Sequence, residues 1–231
     1  AVSMTLGLLD GLVQRMALKG DKLYTASWRK GIQIVDLDTV MGLFPGPNDS
    51  TMMRAMGIAG NGWGLENVVT IPVKSPPPPA APQRDINLFD VQAADVNYRG
   101  VVQTLVFATG ASADGGLVIA NPAGNEVVKQ MAAGAITTGW AVEVTTLAGK
   151  PIALVGGVGT GGGLLVVFDL SPLSQHPAGN PVVLSSIVVG GWPTDIVMSG
   201  NTAIVAIGGG KAKLVDLTNP SQPRATGEIT G

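Results

Sequence analysis

The chain has no cysteine, a single histidine and few charges, with 14 Lys and Arg against 16 Asp and Glu in 231 residues. The missing thiols remove disulfides, thiolate metal sites and cysteine nucleophiles together, and they leave the redox compartment open. The thinly spread charges sum to −2 and provide no basic footprint for nucleic acid. Apolar runs such as Leu164 to Phe168 are far too short to span a bilayer, so no membrane insertion is expected. The opening Ala1-Val2-Ser3-Met4 lacks an initiator Met, a basic stretch and a long apolar run, so no signal peptide is visible and a processed or excised chain is expected. What is abundant is glycine (33), proline (16) and hydrophobic residues (45%). The mean hydropathy is +0.35. Plentiful branched aliphatics with little net charge exclude a disordered chain, and the length suffices for a core.

Internal repetition organises these residues. Gly11 to Gly20 and Gly191 to Gly200 are equal intervals, as are Gly20 to Asp36 and Gly200 to Asp216. A third copy starts at Gly139-Trp140 and turns at Gly149, and a weaker one turns at Gly100. The turn glycines 100, 149 and 200 set a period of about fifty residues, a length typical of one propeller blade. Each unit holds three short β-branched runs and then a fourth, separated by Gly, Asn and Asp, which reads as antiparallel strands in tight hairpins. Gly-Asp, Gly-Lys and Gly-Asn at the first turn suit type II′ geometry. The reading is an all-β chain of four-stranded antiparallel blades, a β-propeller with four to five blades, complete or part of a larger one. The blade-like units are about 11–60, 92–138, 139–190 and 191–231. Residues 41–90 are an insertion or a degenerate blade: Pro76 to Pro79 cannot donate to a sheet ladder, whereas Gly62-Trp63 matches the other Gly-Trp pairs and Ile86 to Val91 mimics a third-strand ending. A short helix over 50–56 is the best helical candidate. Val2 to Leu6 and Arg224 to Gly231 both read as outer strands, which implies a segment of a longer chain or an incompletely covered propeller.

The third-strand endings Ile34-Val35-Asp36-Leu37, Val167-Phe168-Asp169-Leu170 and Leu214-Val215-Asp216-Leu217 resemble the LVIVD repeat. The resemblance is good over 139–231, fair over 11–40 and 92–124, and absent over 41–90. It implies a β-propeller of bacterial or archaeal type, often extracellular or surface-attached, and it brings no catalytic residues to transfer.

Candidate chemistry is sparse. Gly157-Val158-Gly159-Thr160-Gly161-Gly162 satisfies the phosphate-cradling G-x-G-x-x-G, but a strand follows where a helix is needed, so it reads as an interstrand loop. His176 has no triad or metal partners in sequence and reads as a loop residue. Asp36 and Asp38 are the candidate metal ligands, with Asn48 and Asp49 the nearest further oxygens; calcium needs six to eight. Recurrence of Asp36, Asp169 and Asp216 at one repeat position favours a turn-forming role instead. Trp63, Trp140 and Trp192 start their inner strands and are the candidate binding residues, either lining a channel or top face or packing between blades; the first unit has Leu12 at this position. The tetraproline, with Lys74 or Arg84 beside it, is a spacer or a groove ligand, and Asn48-Asp49-Ser50 is a formal glycosylation sequon. No catalytic residue and no cofactor is expected.

The leading expectation is a noncatalytic scaffold or interaction module of a larger secreted or cell-surface protein, with loops 41–90, 156–163 and 172–181 presented to a protein, to other domains of the same polypeptide, or to carbohydrate. The rival is a propeller enzyme resembling lactonases or glycosidases, for which Asp95, Glu143 and Asp195 are the acids on inner strands. A purely structural, edge-to-edge module is the third.

Overall fold

The computed structural model describes residues 13–28, 30–37, 68–74, 85–111 and 116–231. Among these residues sixteen strands form four antiparallel blades, each a meander in sequence order. Blade 1 comprises β1 (Val13–Lys19), β2 (Lys22–Ser27), β3 (Gly31–Asp36) and β4 (Val68–Ile71). Blade 2 comprises β5 (Asn87–Tyr98), β6 (Val101–Ala111), β7 (Leu117–Asn121) and β8 (Glu126–Met131). Blade 3 comprises β9 (Ile136–Leu147), β10 (Lys150–Gly159), β11 (Gly162–Asp169) and β12 (Val182–Val188), with a 3-10 turn at Ser171–Ser174. Blade 4 comprises β13 (Pro193–Ser199), β14 (Thr202–Ile207), β15 (Lys211–Asp216) and β16 (Arg224–Thr230). A single bridge, Ala111 to Thr138, links blades 2 and 3. The chain is an all-β propeller, as the repeat arithmetic indicates.

The segment that interrupts the repeat contributes to two blades. Val68–Ile71 pairs with β3 as the outer strand of blade 1. Ile86 to Val91, which looks like a third-strand ending, instead leads into and opens the inner strand β5, because its continuation pairs with β6 all the way to the Tyr98 hairpin. Asp38, Trp63, the tetraproline, Arg84, the sequon and the helix candidate at 50–56 lie outside the described residues, as does Val2 to Leu6.

Alternation along the strands explains the hydrophobic content. On β11, Leu164, Val166 and Phe168 pack toward blade 2, while Leu165 and Val167 pack toward blade 4. On β7, Leu117 and Ile119 face blade 3 while Val118 and Ala120 face blade 1. A strand covered on both faces reads as a continuous apolar run rather than an alternating one. Three apolar cores result, between blades 1 and 2, 2 and 3, and 3 and 4. Among the described residues no such cluster joins blade 4 to blade 1.

The first hairpins differ between blades. Gly20 and Gly200 have φ of 60° and 58° and are followed by Asp21 and Asn201 without positive φ, the type II′ pattern expected. In blade 3 the turn residues are Ala148 and Gly149, with φ of 49° and 76°, so the turn is of type I′ and lies one residue earlier than Gly149-Lys150.

An aromatic row and a polar axis as the candidate site

The inner strands β1, β5, β9 and β13 are neighbours around the axis, and each carries a β-bulge. In β5 the extra residue is Phe89, between the pairs Leu88–Gly110 and Asp90–Thr109. In β9 it is Trp140, between Gly139–Gly157 and Ala141–Gly156. A bulge releases a side chain from the sheet's alternation and re-aims it. Here it lays Phe89 and Trp140 on one another, with ring centroids 4.3 Å apart and planes at 24°. Trp192, just ahead of β13, lies parallel to Trp140 at 6.5 Å, and Trp28 meets Phe89 edge-on at 5.5 Å. The row thus draws one ring from each blade. Trp140 is its packed centre, with its indole nitrogen buried and unpartnered. Trp192 is its open end, 66% exposed. Two of the three candidate tryptophans are therefore together. Trp28 and Phe89 were legible only as isolated aromatics, because their place in the row depends on the bulge and on the neighbouring blade.

Further along the same strands lies a polar cluster. An inner strand has a sheet partner on one side only, so its other edge presents N–H groups that need acceptors. Asp90 supplies them: its Oδ2 accepts the Val142 N–H at 2.8 Å and its Oδ1 accepts the Val91 N–H at 2.9 Å. Gln92 Oε1 accepts the Val144 N–H, and Gln92 Nε2 donates to Glu143 Oε2 at 2.9 Å. Side chains of β5 thereby complete the free edge of β9. On the other side of the axis, Arg15 Nη2 donates to the Thr194 carbonyl at 3.0 Å and stands 4.0 Å from Asp195 Oδ2. Arg15, Glu143 and Asp195 lie at one repeat position, equally far ahead of the turn residues Gly20, Ala148 and Gly200.

Burial pushes the Asp90 carboxyl up to about 6, against the lowering effect of its two backbone N–H bonds and of Arg15. Burial likewise pushes Glu143 up to about 7; the Gln92 hydrogen bond lowers it, and the charges of Asp90 and Asp195 raise it further. Of the three acids placed on inner strands from sequence, Glu143 and Asp195 belong to this cluster. Asp95 does not: Lys19 at 2.8 Å and Thr104 at 2.7 Å engage it and hold its carboxyl below the usual range. Asp90 was missed, since its run resembles a third-strand ending.

The other candidates resolve locally. Asp169 Oδ1 accepts the Ser171 N–H at 2.8 Å, Asp216 Oδ1 the Thr218 N–H at 2.8 Å, and Asn121 Oδ1 the Ala123 N–H at 3.1 Å. These are Asx turns, the recurring architectural role. Asp36 accepts from Lys22 Nζ at 2.9 Å. Among the described residues, no group of three or more Asp, Glu or His could hold a metal ion. His176 is an exposed loop residue. The G-x-G-x-x-G glycines sit in the β10–β11 hairpin, where a Cβ on Gly157 or Gly159 would meet the carbonyl oxygens of Thr138 or Ala135 at 2.4 and 2.0 Å. Close strand approach, rather than phosphate, is what these glycines permit.

Four radial blades with their inner strands around one axis define a β-propeller. The family model for the LVIVD repeat matches residues 10–38 and 190–230, in the first and last blades. Two crystal structures of BBS1N in complex with ARL6DN, soaked with lead and with mercury, are similar to it at 13% identity and a TM-score of 0.53. The likeness covers 91% of this chain and 50% and 51% of theirs, so the chain spans about half the length of those structures. No curated protein matches the sequence.

Proposed function

We propose that the protein is a noncatalytic β-propeller module that binds another protein, or another domain of its own polypeptide, within a secreted or cell-surface assembly. The observation that carries this reading is the seam between blades 4 and 1. Met16 and Leu18 lie on the face of β1 opposite Ala17, which packs toward blade 2, and Val197 lies on the face of β13 opposite Ile196, which packs toward blade 3. All three are exposed. Exposed apolar side chains on the two inner strands flanking this seam favour an interaction surface there. The axial acids support the same reading, because Asp90 is engaged in completing a strand edge and Glu143 in accepting from Gln92. The fold is compatible with protein partners, as the BBS1N complex with ARL6DN illustrates for that protein.

A photo-crosslinking residue placed at Leu18 or Val197, expressed in the source cells, is expected to give one discrete adduct that is absent when it is placed at Gln222. Adducts equally distributed over the three positions, or hydrolysis of lactone or glycoside substrates that Glu143→Gln abolishes, would refute the reading. The open indole of Trp192 favours a second one, stacking on a sugar ring. Binding on a glycan array that Trp192→Ala removes would establish it.

A further inference from the structure

At the opposite end of the inner strands, a cleft of about 630 Å³ runs radially between blades 1 and 2. Its walls are apolar toward the rim, where Ile34, Val69 and Pro122 line it, and charged toward the axis, where Lys19, Lys22, Asp21, Asp36 and Asp95 line it. Tyr24 stands between the two regions. Its residue is only 3% exposed, yet it lines the cleft. Among the described residues its hydroxyl has no hydrogen-bond partner. A buried phenol normally finds a partner, so a hydroxyl left open to a cleft marks a position for a ligand's polar atom.

The charges indicate which atom. Lys19 is paired with Asp95 at 2.8 Å and Lys22 with Asp36 at 2.9 Å. Both ammonium groups are thus matched by a carboxylate, and with Asp21, which shares Lys22 at 3.8 Å, the described residues lining the cleft carry one more acid than base. A carboxylate or phosphate entering here would have to displace an internal carboxylate from its lysine. A cation would keep both pairs and find Asp21 and the Tyr24 oxygen as acceptors. The apolar outer half requires an aliphatic stem behind that cation.

We propose that this cleft binds an ammonium or guanidinium group carried on an aliphatic stem, as in a Lys or Arg side chain of an extended peptide or in a free alkylamine. The head lies between Asp21 and the Tyr24 hydroxyl, and the stem lies along Ile34 and Val69. The site shares no residue with the aromatic row or the blade 4–blade 1 seam, so it stands or falls separately from the proposed function.

The test is amide NMR of the protein titrated with n-butylamine, with acetyl-lysine methylamide and with sodium butyrate. The expected result is saturable shifts confined to Gly20, Asp21, Gln103 and Ala123 with the two amines, and none there with butyrate. Tyr24→Phe, which keeps the buried ring, and Asp21→Asn, at an exposed turn, should each weaken amine binding at least tenfold while leaving the rest of the spectrum in place. Binding of both amines assigns recognition to the head and stem alone, and binding of acetyl-lysine methylamide only assigns it to the peptide-borne side chain. No saturable shift with either amine, equal binding by both variants and the parent, or preferential binding of butyrate would overturn the proposal.

Discussion

Glu143 and Asp90 are carboxyl groups that the fold makes reluctant to ionise. Both have raised pKa values, about 7 and about 6, so the folded chain takes up protons more readily than the unfolded one between pH 4 and 7. Their contribution to stability is therefore complete below the ordinary carboxylate range and is lost as pH rises through 6 and 7. The carboxyls held low, such as Asp95, act in the opposite sense, but only at more acidic pH. Thermal unfolding followed by circular dichroism should show a midpoint that falls from pH 5 to pH 8. Glu143→Gln retains an oxygen to accept from Gln92 and removes the charge. It should match the parent at pH 5, exceed it at pH 8 and flatten the upper part of the slope. An unchanged slope would show that Glu143 is already ionised at no cost.

The strands show how far a local pattern carries. Val167-Phe168-Asp169-Leu170 was readable because everything it does is nearby: two apolar residues on alternate faces, an Asx turn onto Ser171 and a leucine that plugs the core. Hairpin turns were readable for the same reason, although the Ala148-Gly149 turn shows that one residue of slippage passes unseen when an alanine takes positive φ. Asp90 and Gln92 were not readable, since their partners Val142 and Val144 lie 52 residues away on another blade. Nor could the sequence say where a bulge would fall, and the bulges at Phe89 and Trp140 are what make the aromatic row. Gly163 illustrates the same limit: a Cβ there would stand 1.8 Å from the Gly191 carbonyl oxygen and 2.0 Å from that of Gly190, which link blades 3 and 4. Gly163→Ala is expected to cost about 2 to 3 kcal/mol, as overpacking against a backbone that cannot retreat does. Urea denaturation would measure it, and a loss under about 0.5 kcal/mol would mean that the link yields.

At the scale of the molecule, the described residues form four blades held by three apolar cores, and between blades 4 and 1 Arg15 makes polar contacts with Thr194 and Asp195. Arg15 is half exposed, and its ion pair is long, so the contact contributes about 1 kcal/mol or less. Arg15→Ala should therefore hardly move the unfolding midpoint, yet it should accelerate amide hydrogen exchange in β1 and β13 and enlarge the radius of gyration in solution scattering. Unchanged exchange at both strands would show that something other than Arg15 joins the blades. The uneven distribution of cores also sets the order of disassembly. Among the described residues apolar adhesion runs between successive blades and not across the seam, so energetically they form a short one-dimensional stack. In such a stack blades 2 and 3, which carry apolar cores on both faces, come apart last.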